Sequence, residues 1–462
     1  MPTLETLEQV LITCQSADPF STLVVSPQTG AAVWSYKGSE LQGAITNLAA
    51  PVGVNGDYLA VTTKDKPMLH IVAVHIRDRT HQKSVLPGIA RALAVHPSGT
   101  VVCCAIDEKI YTWMLTTGQL LTIISAHYQP VSHLQFVSDG SALVSAGDDG
   151  IVQVWLLTDL MTPHDAGLMK PEPLRKWSPH SVPVTGLFVT SGGVNCRILS
   201  CSSDQTASLH SSSSGECLLT VIADCKLTSC TMDPAESRIF LGTSKGAVAQ
   251  INLYMEPVLR ERHLTTVGDN DEMPLFRNHK AAVTALSTNL DGSMFVSGDA
   301  LGQYCIWDVA SRQCLKSASM KGTISTAQFI PNWLSLGEAE YKKSPLPVAV
   351  LQKQLAKSLE PTVPVVLRPA VGMDEMNNQL DEMIARRLRG EEISTTTWND
   401  RVEDVQRKRP KAADEEEESD NDEDDEVVPE TVEGLKAALN KARRANRQLY
   451  SFAVSQIVDN KS

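Results

Sequence analysis

Residues 126–155 read AHYQPVSHLQFVSDGSALVSAGDDGIVQVW. Three short apolar runs, VSHLQF, ALVSAG and VQVW, are parted by the turn sequences SDGS and DDG. Runs of four to six residues bounded by Asp, Ser and Gly read as antiparallel strands rather than helices. Four residues stand out among the apolar ones: His127, Ser145, Asp149 and Trp155. A buried imidazole needs a partner on each ring nitrogen, and a carboxylate, a hydroxyl and an indole N–H together complete such a set.

The stretch recurs. AITNLAAPVGVNG, ARALAVHPSG, VSHLQFVSDG, VTGLFVTSGG, LTSCTMDPAE, VTALSTNLDG and ISTAQFIP align on Leu48, Leu93, Leu134, Leu187, Cys230, Leu286 and Ala327, at intervals of 45, 41, 53, 43, 56 and 41 residues. Each of these leaders ends in a turn signal, and all but the last are followed by further short strands; ALAVHPSG, TVVCCAIDEK, IYTWML and TTGQLLTIIS make one complete set. Four antiparallel strands per period of roughly 40 to 45 residues describe the blades of a β-propeller. The seventh leader, Ile324–Pro331, has no second or third strand after it, while VLITCQSA, STLVVSP and AAVWSYKG precede the first leader. A ring must pair its edge strands or expose them, so the last blade is expected to combine strands from both ends of residues 1–334.

The region resembles WD repeats, in which a His, Ser, Asp and Trp form a hydrogen-bonded tetrad. Blade four supplies His127, Ser145, Asp149 and Trp155; blade five supplies His180, Ser200 and Asp204, with His210 in place of the Trp. Blade seven supplies His279, Ser297 and the dipeptide Trp307-Asp308, with Leu301 where the turn Asp is expected. A Ser-His-Asp hydrolase is disfavoured: there is no G-x-S-x-G elbow, and the set repeats from blade to blade. The expected fold is all-β, a seven-bladed WD-repeat propeller closed by N- and C-terminal strands and followed by a partly disordered tail. Two overlong intervals place the insertions 158–176 and 254–276 between blades, in surface loops.

Composition narrows the functional classes. The net charge of −13 is local, because Asp414–Glu426 alone carries 11 acidic residues. The remainder is nearly balanced, which disfavours long-range attraction to a nucleic-acid backbone. Ten cysteines with no C-x-x-C spacing fit buried thiols in a reducing compartment and give no zinc site. No cofactor is expected. The start MPTLETLEQV has no cationic, apolar leader, and no run reaches the roughly 20 apolar residues of a membrane span, so a soluble intracellular protein is expected.

The period ends near residue 335. Residues 335–372 read as an extended, proline-containing connector, and 373–390 as a short amphipathic helix carrying Met376, Leu380, Met383, Ile384 and Leu388. Residues 391–429 read as a disordered linker. Within it, Arg407, Lys408, Arg409 and Lys411 make a candidate nuclear-import signal, and Ser419 in the acidic run is a candidate phosphorylation site. Residues 430–458 place Val432, Leu435, Leu439, Ala442, Asn446, Leu449 and Ala453 at alternating steps of three and four, the seam of a coiled-coil helix that needs a partner, itself or another chain.

Blade four, RNHKAAVTALSTNLDGSMFVSGDALGQYCIWDV in blade seven and RRANRQLYSFAVSQIV near the end together make the chain similar to the WD-repeat propeller subunits of the rixosome. That resemblance implies a non-enzymatic scaffold in pre-60S ribosome maturation and pre-rRNA processing, acting in the nucleolus and nucleoplasm, with further roles in chromatin silencing or replication. It implies as partners a proline- and glutamate-rich helical scaffold, a testis-expressed helical-repeat subunit, the AAA ATPase midasin, a SUMO protease, a pre-rRNA endonuclease and kinase module, and pre-60S particles. Two other readings stay open on the residues: a substrate receptor of a ubiquitin ligase, and a histone or chromatin adaptor working through its acidic tract.

Overall fold

A computed structural model describes residues 8–16, 21–36, 44–53, 56–75, 81–161, 171–254, 260–266, 274–333 and 348–354. They form seven sheets, each starting from one inner strand: Thr46–Val52, Ala92–Val95, Val131–Phe136, Val184–Val189, Leu227–Met232, Val283–Thr288 and Ile324–Pro331. Each of the seven aligned leaders supplies one of these strands. Together these sheets make a seven-bladed β-propeller within residues 8–333.

Burial is highest in the second and third strands of the blades and falls toward the outer strand, while inner strands such as Val131–Phe136 are only partly buried. All six residues of the second strands Val101–Ile106 and Ala142–Gly147 are buried, because both faces of such a strand meet a neighbouring blade. This explains their unbroken apolar sequences, VVCCAI and ALVSAG. The fourth strand of blade seven, Cys314–Ser319, is almost wholly exposed, and its sequence CLKSAS is correspondingly mixed. The hydrophobic cores lie between blades: Leu11, Val24 and Tyr36 of blade one pack with Ala49, Leu59, Val61 and Val72 of blade two.

Blade one closes the ring. Ile324–Pro331 is its inner strand and pairs antiparallel with Glu8–Cys14, followed by Thr22–Val25 and Ala32–Tyr36. The register sets Val10 against Phe329 and Ile12 against Ala327. Beyond the strand, Asn332 accepts a hydrogen bond from Gln9 Nε2 at 2.8 Å, and Trp333 is buried over Gly56 of blade two.

Polar links join each blade to the next. The second residue of four inner strands donates its hydroxyl to the first carbonyl of the following one: Ser132 to Val184 (3.0 Å), Thr185 to Leu227 (2.8 Å), Thr228 to Val283 (2.5 Å) and Thr284 to Ile324 (2.6 Å). Elsewhere Gln15 donates to Asn47, Asn47 to the carbonyl of Ala90, and Arg91 pairs with Asp148 at 2.8 Å. The signal was present in the alignment as VS, VT, LT and VT at the head of the leaders, but sequence reading passed over it.

The two insertions are placed differently from expectation. Both lie inside a blade, between its third and fourth strands, rather than between blades. In blade four, Val152–Leu156 runs into a short helix, Leu157–Met161, before the fourth strand Arg175–Trp177. Leu160 is buried, and its carbonyl accepts the Thr122 hydroxyl of blade three at 2.8 Å. In blade six, the chain leaves Ala247–Asn252, forms Glu261–Leu264 as a fifth strand parallel to Cys217–Ala223 of blade five, and returns for Leu275–Arg277. The insertion thereby covers the outer edge of a neighbouring sheet.

Candidate functional site

In blade four, His127 Nδ1 lies 3.0 and 3.2 Å from the two carboxylate oxygens of Asp149. A carboxylate only accepts, so Nδ1 carries the proton and Nε2 accepts the Ser145 hydroxyl at 2.9 Å. The Ser145 oxygen in turn accepts the Trp155 indole N–H at 3.0 Å. Burial lowers the His127 pKa, with Asp149 opposing, so the ring is neutral at pH 7. Every donor and acceptor in the set is used, and the fully buried Ser145 oxygen already takes a second bond. The arrangement locks a turn in place and leaves no free nucleophile.

The same circuit runs in blade seven with one substitution of position. His279 Nε2 lies 2.6 Å from Ser297 Oγ, which accepts the Trp307 indole at 2.8 Å. The carboxylate facing His279 Nδ1 belongs to Asp299, at 3.3 Å, two residues before Leu301. Asp299 Oδ1 also receives the backbone N–H groups of Leu301 and Gln303 at 3.0 and 2.8 Å. Asp308, placed in the tetrad by its dipeptide, sits elsewhere: its carboxylate accepts the Ser311 N–H at 2.7 Å, which closes the next turn.

Blade five keeps His180 with Ser200 (3.0 Å) and Asp204 (3.2 Å), and adds Thr206, whose hydroxyl is 2.9 Å from His180 Nδ1 and donates to Asp204 at 2.6 Å. His210 takes the Trp position, across from Ile198 as Trp155 is across from Leu143. It packs against Trp177 of blade four, ring centroids 5.3 Å apart, and burial pushes its pKa down to about 4. Blades three and six have lost the set. Register puts Cys104 and Leu241 at the Ser position, and both are buried among apolar side chains.

The tetrad has a consequence at the surface. Asp149 Oδ2 also accepts the N–H of Tyr128 at 3.1 Å, which fixes the backbone of a tyrosine that is 84% exposed, with Lys176 Nζ 5.2 Å above its ring. An anchored, exposed tyrosine is the residue type that dominates binding energy at protein interfaces. Through the middle of the ring runs a cavity of about 540 Å³ lined by all seven inner strands, including His133, Phe136, Phe188 and Phe329. No Lys, Arg, Asp or Glu is among its described lining residues. Among the described residues no three His, Cys, Asp or Glu side chains gather as metal ligands.

The buried imidazoles make stability depend on pH. Burial lowers His70 and His210 to about 4 in the folded chain, against 6.5 unfolded. Between those values the unfolded chain binds more protons, so stability is lost as pH falls through that window. Each ring is expected to cost about 2 kcal/mol on going from pH 7 to pH 5. Urea titrations at both pH values check this, and a His210→Gln variant should show a shallower loss than the natural chain.

Arg407, Lys408, Arg409, Lys411, Ser419, the 373–390 helix and the seam from Val432 to Ala453 lie outside the described residues.

Blade geometry, closure and tetrads define a WD-repeat propeller. The family model for the WD domain, G-beta repeat, matches residues 118–155 and 272–308, the two blades whose circuits are complete. Over 450 residues, 97% of both chains, the sequence is 32% identical to WD repeat-containing protein 18 of Mus musculus. It is 42% identical over 353 residues to the pre-rRNA-processing protein pro-1 of Caenorhabditis briggsae, and 26% identical over 341 residues to the pre-rRNA-processing protein crb3/ipi3 of Schizosaccharomyces pombe. The matches cover 76% and 67% of this chain, and 66% and 74% of those relatives. The chain belongs to the WD repeat-containing protein 18 family.

Proposed function

We propose that this protein is a non-enzymatic scaffold in pre-rRNA processing, a subunit of a nuclear complex that matures the pre-60S particle. The observation that carries the reading is kinship, over 76% and 67% of the chain, to relatives named as pre-rRNA-processing proteins. The tetrad geometry supports it: the only repeated His, Ser and Asp sets of the described blades are consumed internally, and what they fix is an exposed turn bearing Tyr128. On this reading the propeller offers its faces to protein partners of the rixosome kind, and the seam Val432, Leu435, Leu439, Ala442, Asn446, Leu449 and Ala453 joins the chain to its complex. Arg407, Lys408, Arg409 and Lys411 serve nuclear import, and the acidic run keeps the tether in solution.

Affinity purification from nuclear extract tests this, comparing the full chain with one in which Leu435, Leu439 and Leu449 are each replaced by Asp. The variant should recover ribosome-assembly factors about tenfold less well, a loss of about 1.4 kcal/mol or more, with the unfolding transition of the ring unchanged. Equal recovery sinks the proposed role of the seam. Absence of assembly factors from both preparations sinks the function itself.

A further inference from the structure

Residues 348–354 lie against blade three and the neighbouring fourth strand of blade two, His81–Val85. The contacts are mostly main-chain. Ala349 N–H donates to the carbonyl of Leu115 at 2.9 Å, Gln352 N–H to that of Gly118 at 2.7 Å, and Leu351 N–H to Ser84 Oγ at 3.0 Å. One side chain is fully captured: Leu351 is 5% exposed, in the cluster of Leu86, Trp113, Leu115 and Leu120, with Val348 packed partly buried against the same cluster, whereas Val350 is 55% exposed. Gly118 has φ +73° and would carry its Cβ 2.1 Å from the Val350 carbonyl oxygen, so the floor admits a peptide backbone only because it is glycine.

The fourth polar contact explains why the site is here. Trp113 stands where Trp155 and Trp307 stand in blades four and seven, but its Ser partner is replaced by Cys104. The indole donor that elsewhere goes to a serine is aimed outward, and it reaches the carbonyl of Gln352 at 2.9 Å. A buried donor without a partner is costly, so the degenerate blade carries a vacancy that a backbone carbonyl completes.

We infer that the outer end of blade three is a binding site for an extended peptide, read by one buried leucine and by the carbonyl that follows it, and that Ala349–Gln352 occupy it in cis. The site is separate from the tetrads, and the occupant is specified by contacts rather than by covalent continuity. A peptide of the same chemistry therefore enters the site when the cis segment is removed.

The test uses the full chain carrying Leu351→Glu and a fluorescein-labelled peptide of residues 346–354, LPVAVLQKQ. Saturable anisotropy is expected with the variant, and at least about tenfold weaker binding with the natural chain, whose site is filled. A peptide with glutamate at the leucine position should not bind the variant. Adding Trp113→Phe to the variant should weaken the natural peptide by about two- to tenfold, the worth of one hydrogen bond. Equal binding to the natural chain and the variant, or no binding to either, overturns the inference. Should Leu351→Glu fail to fold, the full chain with a protease site inserted within residues 335–347 is cut instead. The released tail should stay with the ring and be displaced by excess peptide; immediate separation on cutting overturns the inference equally.

Discussion

Deleting residues 1–36 is expected to unfold the ring rather than merely shorten it. The deletion removes three of the four strands of blade one and leaves Ile324–Pro331 as an unpaired inner edge. Val10, Leu11, Ile12, Val24 and Val25 are all at most 1% exposed, and they pack on both neighbouring blades. At about 1.5–3 kcal/mol for each fully buried aliphatic side chain, their loss removes about 7–15 kcal/mol, the whole of a typical folding free energy. Limited proteolysis should therefore turn a protected fragment spanning the seven blades into a ladder of small products. The single change Ile12→Asp isolates the closure. It buries a carboxylate between Leu23 and Ala327 and should cost about 4 kcal/mol or more. A truncated chain as resistant to protease as the full one would mean that six blades and an open edge suffice.

The closure was legible because a ring built of repeats makes its own arithmetic visible: seven leaders, one of them missing its later strands, and those strands found at the other end of the chain. What was not legible shares a physical cause. Asp299 was missed because the alignment counted chain positions, whereas the tetrad needs only a carboxylate at a point in space, and a side chain at the end of the second strand reaches that point as well as one from the turn. The fifth strand on blade five was missed because Glu261–Leu264 pairs with a strand about 40 residues away by backbone bonds that no local pattern announces. The docked segment was missed for the same reason, three of its four bonds being donated by its own main-chain N–H groups; only Leu351 leaves a trace, inside a run, VAVLQ, that proline neighbours made read as connector. The interblade hydroxyls are the opposite case, a column of Ser and Thr plainly in register whose purpose shows only when the next carbonyl is in place.

The position of the blade-seven carboxylate can be decided by stability alone. Asp299 is fully buried and serves His279 Nδ1 and two backbone N–H groups, so Asp299→Ala leaves three donors without a partner in a site closed to water. The expected loss is about 3–5 kcal/mol, the range for breaking a buried, hydrogen-bonded polar set. His279→Ala should cost a comparable amount for the complementary reason, that it takes a hydrogen-bond partner from both the buried carboxylate and the buried Ser297 hydroxyl. Both act on one network, so the double variant should lose clearly less than the sum of the two. Asp308→Ala removes only the cap of an exposed turn and should cost about 1 kcal/mol. Urea unfolding of the four chains reads all of these on one scale. An Asp308 variant as damaged as the Asp299 one would return the tetrad carboxylate to the WD dipeptide. The expected order keeps it at the end of the second strand, where Asp299 also fixes the turn that carries the exposed Leu301.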